Sequence, residues 1–539
     1  MNIKKPLGAL FGVLALIALL APATLVRAQD KPAPKAEAKT DAYTSSTTFR
    51  YEGLIFVDAM VNGKGPYNFL FDSGASTSIL GERLATELAI KTVKSPMGAQ
   101  GVGTQDMSLA IVETLRLADF EREEIPVGVM NLDHISGELG KHMHGIIGQN
   151  MIKYMRKIEF DFSTSTLSIT RFKKGQGPQI DAEELLLKVM IEGGIGGIKI
   201  PGFPGGDDDE GEEPAKPVKP AKPDDDPEDD DQFSAGPNGA FGVTIDDAPA
   251  LASTTFSYRH LDMGGLGLME VAMWFVDVKL NGHKHTLFFD TGASTLAVLT
   301  KKAAQGLKID TSFEYGVKGV GESIASEGIL DSLEIGDLKI AEPTCSVMDL
   351  DAVLGQLEIV GGKCDGIVGL PLATRFKRMI VDGETKQVTL EPYGKGEANA
   401  FDPAEGEALM KQAVIATWNQ KASKLGFGGD CVLLDDWEKL KLKDGGLRVE
   451  SVEDGAAAKA GLKKGDIITA VVGAEKDDAG KAADMPARGI SGLVMWACIQ
   501  QPGTLITLRA LRGGETIEVS YKLDAYGFKG SFPEKYRQK

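Results

Sequence analysis

One stretch of this 539-residue chain occurs twice in diverged form, and that duplication limits the folds open to it. Ser46-Thr47-Thr48-Phe49 recurs as Ser253-Thr254-Thr255-Phe256, and Phe56-Val57-Asp58 as Phe275-Val276-Asp277. Phe71-Asp72-Ser73-Gly74-Ala75-Ser76-Thr77 recurs as Phe289-Asp290-Thr291-Gly292-Ala293-Ser294-Thr295. Gly101-Val102-Gly103 returns as Gly319-Val320-Gly321, Val129-Met130-Asn131-Leu132-Asp133 as Val347-Met348-Asp349-Leu350-Asp351, and Gly145-Ile146-Ile147-Gly148 as Gly366-Ile367-Val368-Gly369. The matches keep their order and, after the first, nearly their offset, so the unit is a duplicated domain of about 125–140 residues.

Each copy reads as mainly β. Short apolar runs at 54–61, 67–72, 111–117 and 126–131 are separated by Gly, Asn and Asp, the pattern of strands and turns. Each copy closes with a hairpin: 157–162 turns into 167–169, and Met379-Ile380-Val381 turns through Asp382-Gly383-Glu384 into Val388-Thr389-Leu390. Only Glu82 to Ile90 and its counterpart Lys301 to Leu307 read as helical. Copy one spans 46–175 and copy two 251–395.

The stretch between them, 176–250, is rich in Gly, Pro, Asp and Lys. Such a composition buries too little to offset the entropy of ordering, so a disordered linker is expected. The chain has 77 acidic and 59 basic side chains, and residues 207–232 alone hold 13 acidic residues and 3 Lys. The rest is mildly acidic, and no basic face for nucleic acid is expected.

Residues 1–28 read as an export signal. Lys4 and Lys5 precede an apolar run from Leu7 to Leu20, and Val26-Arg27-Ala28 offers a cleavage site. That run is short for a membrane span of about 20 residues, so the expected location is periplasmic or secreted, with 29–45 a disordered leader. Export permits disulfides. Cys345 with Cys364 and Cys431 with Cys498 allow one bridge in each of two regions, or all four are buried thiols. His142 with His144, and His283 with His285, are pairs without a third ligand, and no metal or cofactor is expected.

The chemistry lies in the repeated Asp-Ser/Thr-Gly-Ala. Each follows an apolar strand, and each is followed by Gly-apolar-apolar-Gly. The combination resembles the aspartic proteases, in particular the retropepsin-like branch. That resemblance implies two acid-protease β-barrel domains forming a pepsin-like pseudo-dimer, with Asp72 and Asp290 as the catalytic dyad. Two carboxylates about 3 Å apart cannot both ionise easily, so they share a proton and supply both acid and base. Ser73 and Thr291 would hydrogen-bond across to the opposite loop, while Gly74 and Gly292 let backbone N–H groups reach the carboxylates. Ala75 and Ala293 lack the hydroxyl of many pepsins, which points to an optimum near pH 5–6 rather than pH 2–3. The flap candidates are Gly101, Val102 and Gly103, and Gly319, Val320 and Gly321. Neither flap carries a pepsin-like Tyr, for which Tyr315 is a partial stand-in. Tethering both copies in one chain favours an intramolecular dyad, and a monomer, over pairing between chains.

After copy two, Asp402-Pro403-Ala404-Glu405 starts a connecting helix within 396–420. Residues 421–525 hold Asp454-Gly455-Ala456-Ala457-Ala458-Lys459-Ala460-Gly461-Leu462 and Lys464-Gly465-Asp466-Ile467-Ile468. This module resembles bacterial PDZ domains, a small α+β fold, and a tail follows at 526–539. The resemblance implies capture of an extended C-terminal peptide at Leu425-Gly426-Phe427-Gly428. The whole therefore reads as an exported aspartic endopeptidase acting on polypeptide substrates. The competing reading is a non-catalytic peptide-binding scaffold.

Overall fold

The computed structural model describes residues 43–95, 99–101, 103–173, 176–178, 184, 187–188, 191, 194–195, 198–199, 252–262, 270–318, 322–350, 354, 363–476 and 480–537. The export signal, most of the 29–45 leader, the acidic run, Val102 and Gly319-Val320-Gly321 lie outside the described residues.

In the first lobe, Ile55–Val61 pairs antiparallel with Lys64–Phe71 through an Asn62-Gly63 turn, both residues at positive φ (50° and 72°). Asn281-Gly282 makes the same turn in the second lobe, between Glu270–Leu280 and His283–Asp290, at φ 50° and 80°. Asn-Gly suits such a turn because both residues tolerate left-handed backbone. The inner strand of each lobe then receives a parallel neighbour: Gly145–Ile147 beside Lys64–Phe71, and Gly366–Gly369 beside His283–Asp290. Phe71 closes the first inner strand and Phe289 is the penultimate residue of the second; both are fully buried, so the aspartate that follows each emerges at the edge of the core.

The closing hairpins of the two copies join. Met155–Asp161 pairs antiparallel with Arg378–Asp382, Phe160 facing Met379. Adding Thr166–Arg171 and Thr44–Thr48 on one side, and Gln387–Glu391 and Thr254–Ser257 on the other, completes one six-stranded antiparallel sheet shared by both lobes. Phe160 is fully buried beneath it, edge-on to Phe71 at 5.1 Å and to Phe49 at 5.7 Å. This single apolar core runs through both lobes; truncating a residue such as Phe160 costs about 3–5 kcal/mol.

The expected helices form at Glu82–Glu87 and Lys301–Leu307. Short helices at Asp133–Leu139, Gln149–Ile152 and Pro371–Thr374 were not expected. Part of the stretch read as linker is also tied to the first lobe. Glu184, helical and 2% exposed, pairs with Arg122 at 3.0 Å and accepts from the Tyr154 hydroxyl at 2.9 Å. A buried ion pair there outweighs what local composition suggests.

Helix Ala404–Trp418 follows the second lobe, with Asp402 Oδ1 accepting from Ala404 N at 3.0 Å. The C-terminal module is a sheet in the order Phe427–Cys431, Leu447–Val452, Ile467–Lys476, Leu505–Arg512 and Glu515–Lys522, with Ala482–Pro486 pairing onto Ile467–Lys476 and helix Ile490–Ile499 against it. Both lobes touch this region. Trp418, 1% exposed, donates its indole N–H to the Thr311 carbonyl at 3.2 Å and stacks on Phe532. Its cluster with Val414 and Cys498 also takes in Phe313 and Ile329 of the second lobe. On the first lobe, Arg83 bridges Asp133 and Asp435 at 2.6 and 2.5 Å. All four cysteines are buried free thiols, which decides between the two readings left open above.

Candidate active site

Asp72 sits one residue past its inner strand and Asp290 is the last residue of its own, where the chain turns away from the sheet. Asp72 N donates to the Ile147 carbonyl at 3.0 Å. In the second lobe the parallel strand runs one pair further, with Asp290 opposite Gly369. The Gly-apolar-apolar-Gly strands thus sit directly behind the two loops. A methyl on Gly148 would fall 2.6–2.8 Å from backbone atoms of Thr77 and Ala75, which explains the glycine.

The two loops meet within one chain. Ser73 Oγ donates to the Phe289 carbonyl at 3.0 Å and accepts from Thr291 N at 3.0 Å. Reciprocally, Thr291 Oγ1 donates to the Phe71 carbonyl at 2.8 Å and accepts from Ser73 N at 2.9 Å. Both side chains are fully buried. Each aspartate faces the other loop: a methyl on Gly74 would lie 2.6 Å from the Asp290 carboxyl, and one on Gly292 2.5 Å from that of Asp72.

The electrostatics are uneven. Asp72 Oδ1 accepts from Gly74 N at 2.8 Å and Ala75 N at 3.1 Å. Asp290 Oδ1 accepts from Gly292 N at 2.8 Å, while Ala293 N turns to the Asp290 carbonyl at 3.4 Å. Desolvation is the main cause raising the Asp72 carboxyl, opposed by hydrogen bonds from Asp290, Gly74 and Ala75. Asp290 is held well above the ordinary carboxylate range, by desolvation first and then by the charge and hydrogen bond of Asp72. The proton therefore belongs to the pair and to neither carboxyl alone.

Apolar clusters flank the dyad on either side. In the first lobe Phe56, Leu70, Ile79 and Ile146 pack with Ala75. In the second, Phe275, Phe288, Val298 and Ile367 pack with Ala293.

Gly101 and Gly103 of the first flap candidate face each other as strands Ala99–Gly101 and Gly103–Gln105 pair, and Val102 between them lies outside the described residues. Thr311–Lys318 pairs with Glu322–Ile329 up to Lys318 opposite Glu322; the second flap candidate, 319–321, lies outside the described residues. Tyr315, the partial stand-in for a flap tyrosine, points its hydroxyl elsewhere. Its hydroxyl is committed to Glu327 Oε1 at 2.6 Å, inside the second lobe. Leu425 and Gly426, at φ 77°, precede the edge strand that includes Phe427 and Gly428, and Phe427 pairs with Val452.

Two polar residues behind the first loop went unread. Gln149 Nε2 donates to the Ser73 carbonyl at 2.7 Å. Asn150 Oδ1 accepts from Ser78 N and Oγ at 2.8 and 2.7 Å, and its amide donates to the Pro126 carbonyl at 2.7 Å. The second copy has Leu370-Pro371 after its glycine, so comparing the repeats discards this pair; two buried amides directly after Gly148 were the signal available.

Among the described residues no three His, Cys, Asp or Glu side chains gather as metal ligands. His144 Nδ1 accepts from Asn68 N at 3.2 Å, and His285 Nδ1 lies 2.8 Å from Asp365. No described helix is long and apolar enough to cross a membrane.

No curated protein matches the chain. A solved retropepsin-like aspartic protease from Rickettsia conorii is 17% identical, with 24% of this chain and 92% of that chain covered and a TM-score of 0.19. The serine endoprotease from Yersinia pestis is 17% identical over 41% of this chain and 61% of that one, with a TM-score of 0.16. Residues 57–151 and 276–372, together just over a third of the chain, each match the family model described as aspartyl protease, and each match contains one Asp-Ser/Thr-Gly triplet.

Proposed function

We propose that this protein is an exported aspartic endopeptidase whose dyad is Asp72 and Asp290 of one chain. One observation carries the reading: each carboxyl packs against the other loop's glycine, and no methyl group fits between them. Half-buried and desolvated together, the pair keeps one proton. The ionised carboxylate takes a proton from water as its oxygen attacks the peptide carbon, and the protonated carboxyl gives its proton to the carbonyl oxygen. Collapse of the resulting diol breaks the C–N bond and returns a proton to the amine. No cofactor enters these steps.

The apolar clusters beside Ala75 and Ala293 favour substrates with apolar side chains on both sides of the cleaved bond. The C-terminal module is proposed as PDZ-like, its strand Phe427–Cys431 standing at the sheet edge for an incoming extended peptide. Export rests on the Lys4-Lys5, Leu7–Leu20 and Val26-Arg27-Ala28 pattern.

The deciding experiment is cleavage of a denatured protein mixture across about pH 3 to 8 by wild type, Asp72→Asn and Asp290→Asn. Loss of cleavage in each single variant supports one shared dyad. Silence of one substitution rejects it, and no cleavage by wild type turns the reading to a peptide-binding scaffold.

A further inference from the structure

The second lobe buries a carboxyl that the cleavage chemistry does not use. Glu327, on strand Glu322–Ile329, is 0% exposed. Its Oε1 accepts from the Tyr315 hydroxyl at 2.6 Å and from the Ser346 hydroxyl at 2.6 Å, while Oε2 is buried without a partner. Charge on a carboxyl so placed would be poorly compensated, whereas a neutral acid is tolerated far better. No cation is among the groups that perturb it, and desolvation is the largest cause holding it above the ordinary glutamate range.

The ionisable groups around it are themselves neutral. Tyr315 is pushed up by burial and by Glu327, and the Cys345 thiol on the neighbouring strand is pushed up by burial. On the C-terminal side of the hairpin, Cys498 is pushed up to about 12 by burial, and the Tyr526 hydroxyl, also raised by burial, accepts from Glu314 N at 3.1 Å.

The copies differ here. Glu327 pairs in register with Ser346, next to Ser326 with Val347. The corresponding pairs of the first lobe are Leu109 with Gly128 and Ser108 with Val129. A leucine therefore fills this position in one lobe, and a buried acid in the other.

Its location gives the difference a consequence. Tyr315 packs both on the cluster that includes Ala293, beside the dyad, and on the cluster that includes Trp418. It stands on strand Thr311–Lys318, paired with strand Glu322–Ile329 that carries Glu327.

We propose that Glu327 is a positioning residue of this active site: as a neutral acid it ties strand Thr311–Lys318 to strand Thr344–Met348 through Tyr315 and Ser346, holding the second-lobe hairpin in its substrate-binding position, and its ionisation releases that hairpin. The proposal rests on the aspartic-protease reading above. An ionised Glu327 must reach water, and the strands that cover it have to part for it to do so. Substrate binding weakens while the dyad itself is untouched, so ionisation of Glu327 raises KM with pH and adds nothing to the pH dependence that the dyad gives kcat.

The test uses the full-length protein, with kcat and KM for an apolar-flanked peptide measured between about pH 4 and 8. Wild type is compared with Glu327→Gln, which keeps the hydrogen bonds without a titrating proton, and with Glu327→Leu, which copies the first lobe. Urea unfolding, followed by tryptophan fluorescence, is recorded over the same range in an Asp72→Asn background. The expected result is a wild-type KM that climbs by up to about tenfold per pH unit, the limit for one proton. Glu327→Gln should remove that climb, and Glu327→Leu should give a high KM at every pH.

The sign for folding follows from the raised carboxyl. The folded state holds a proton that the unfolded state gives up, so the contribution is present at acid pH and lost as pH rises. Wild type should therefore lose folding stability relative to Glu327→Gln toward neutral pH. Superimposable KM profiles together with parallel folding curves overturn the proposal. Should Glu327→Gln not fold, Tyr315→Phe replaces it, and an unchanged KM at acid pH is then the overturning result. If no variant cleaves peptide, the protease reading fails, and the folding curves alone still decide for or against a proton on Glu327.

Discussion

Ser73 and Thr291 hold each other: each hydroxyl donates to the carbonyl that precedes the other's aspartate and accepts the other's backbone N–H. Four hydrogen bonds at 2.8–3.0 Å thus fix the spacing of two loops 218 residues apart. Removing either hydroxyl strands a buried donor and a buried carbonyl. Ser73→Ala or Thr291→Ala should each lower stability by about 1–3 kcal/mol, read from urea midpoints, and should lower kcat more than they raise KM. A kcat that stays at the wild-type value in both variants would contradict the arrangement.

Gly292→Ala places a methyl 2.5 Å from the Asp72 carboxyl, and Gly74→Ala one 2.6 Å from that of Asp290. Overpacking of this kind costs about 1–3 kcal/mol. Both variants should still fold yet be inactive, because the loops separate to admit the methyl. Circular dichroism and a peptide cleavage assay together check this.

Under the proposed aspartic-protease function, the Asp72–Asp290 pair sets the pH profile. Activity needs one proton on the pair, so losing that proton defines the alkaline limb. Asp290 is held well above its ordinary value and Asp72 is raised less. The alkaline limb should therefore lie clearly above the usual carboxylate range, with kcat/KM largest near pH 5–6. A maximum below pH 3 would mean carboxyls far better solvated than these.

Asn150 joins Ser78 and Pro126 behind the first loop and is 4% exposed. Asn150→Leu leaves the backbone N–H of Ser78 and the Pro126 carbonyl without partners, a loss of about 2–4 kcal/mol. Calorimetry should show this in the Tm of the first lobe's variant, while Leu370→Ala in the second lobe acts only through lost packing.

Trp418→Ala should cost about 3–5 kcal/mol and should disturb the second-lobe hairpin as well, because Trp418 packs with Phe313 and Ile329. Hydrogen exchange across 311–329 is the direct check: faster exchange there than in 108–117 of the first lobe is the expected result.

How much of this was legible depends on what each residue answers to. The Asp-Ser/Thr-Gly loops and the strands leading into them were readable because both copies face the same steric demands, so the repeat itself marked them. Gln149 and Asn150 answer to a hydrogen-bond network that only one copy keeps, and the comparison passed over them. Glu327 sits in a strand where an acid suggests a solvent-facing position; its burial comes from Tyr315 and Ser346 on two other strands. Glu184 lies in a stretch whose composition suggests a linker, yet Arg122 supplies it a long-range partner. The helix after Asp402 was legible because its cap is local, whereas its packing on Thr311 and Phe313 was not.

The sheet in which Met155–Asp161 pairs with Arg378–Asp382 means that covalent continuity between the two copies is not what keeps them together. A chain cut once between residues 200 and 250 would remain a single particle of two polypeptides, its cleft still assembled from both. Such a nick would be visible on a denaturing gel and invisible to gel filtration. The same sheet lets the intervening segment vary in length and charge at little cost to the geometry of the two Asp-Ser/Thr-Gly loops.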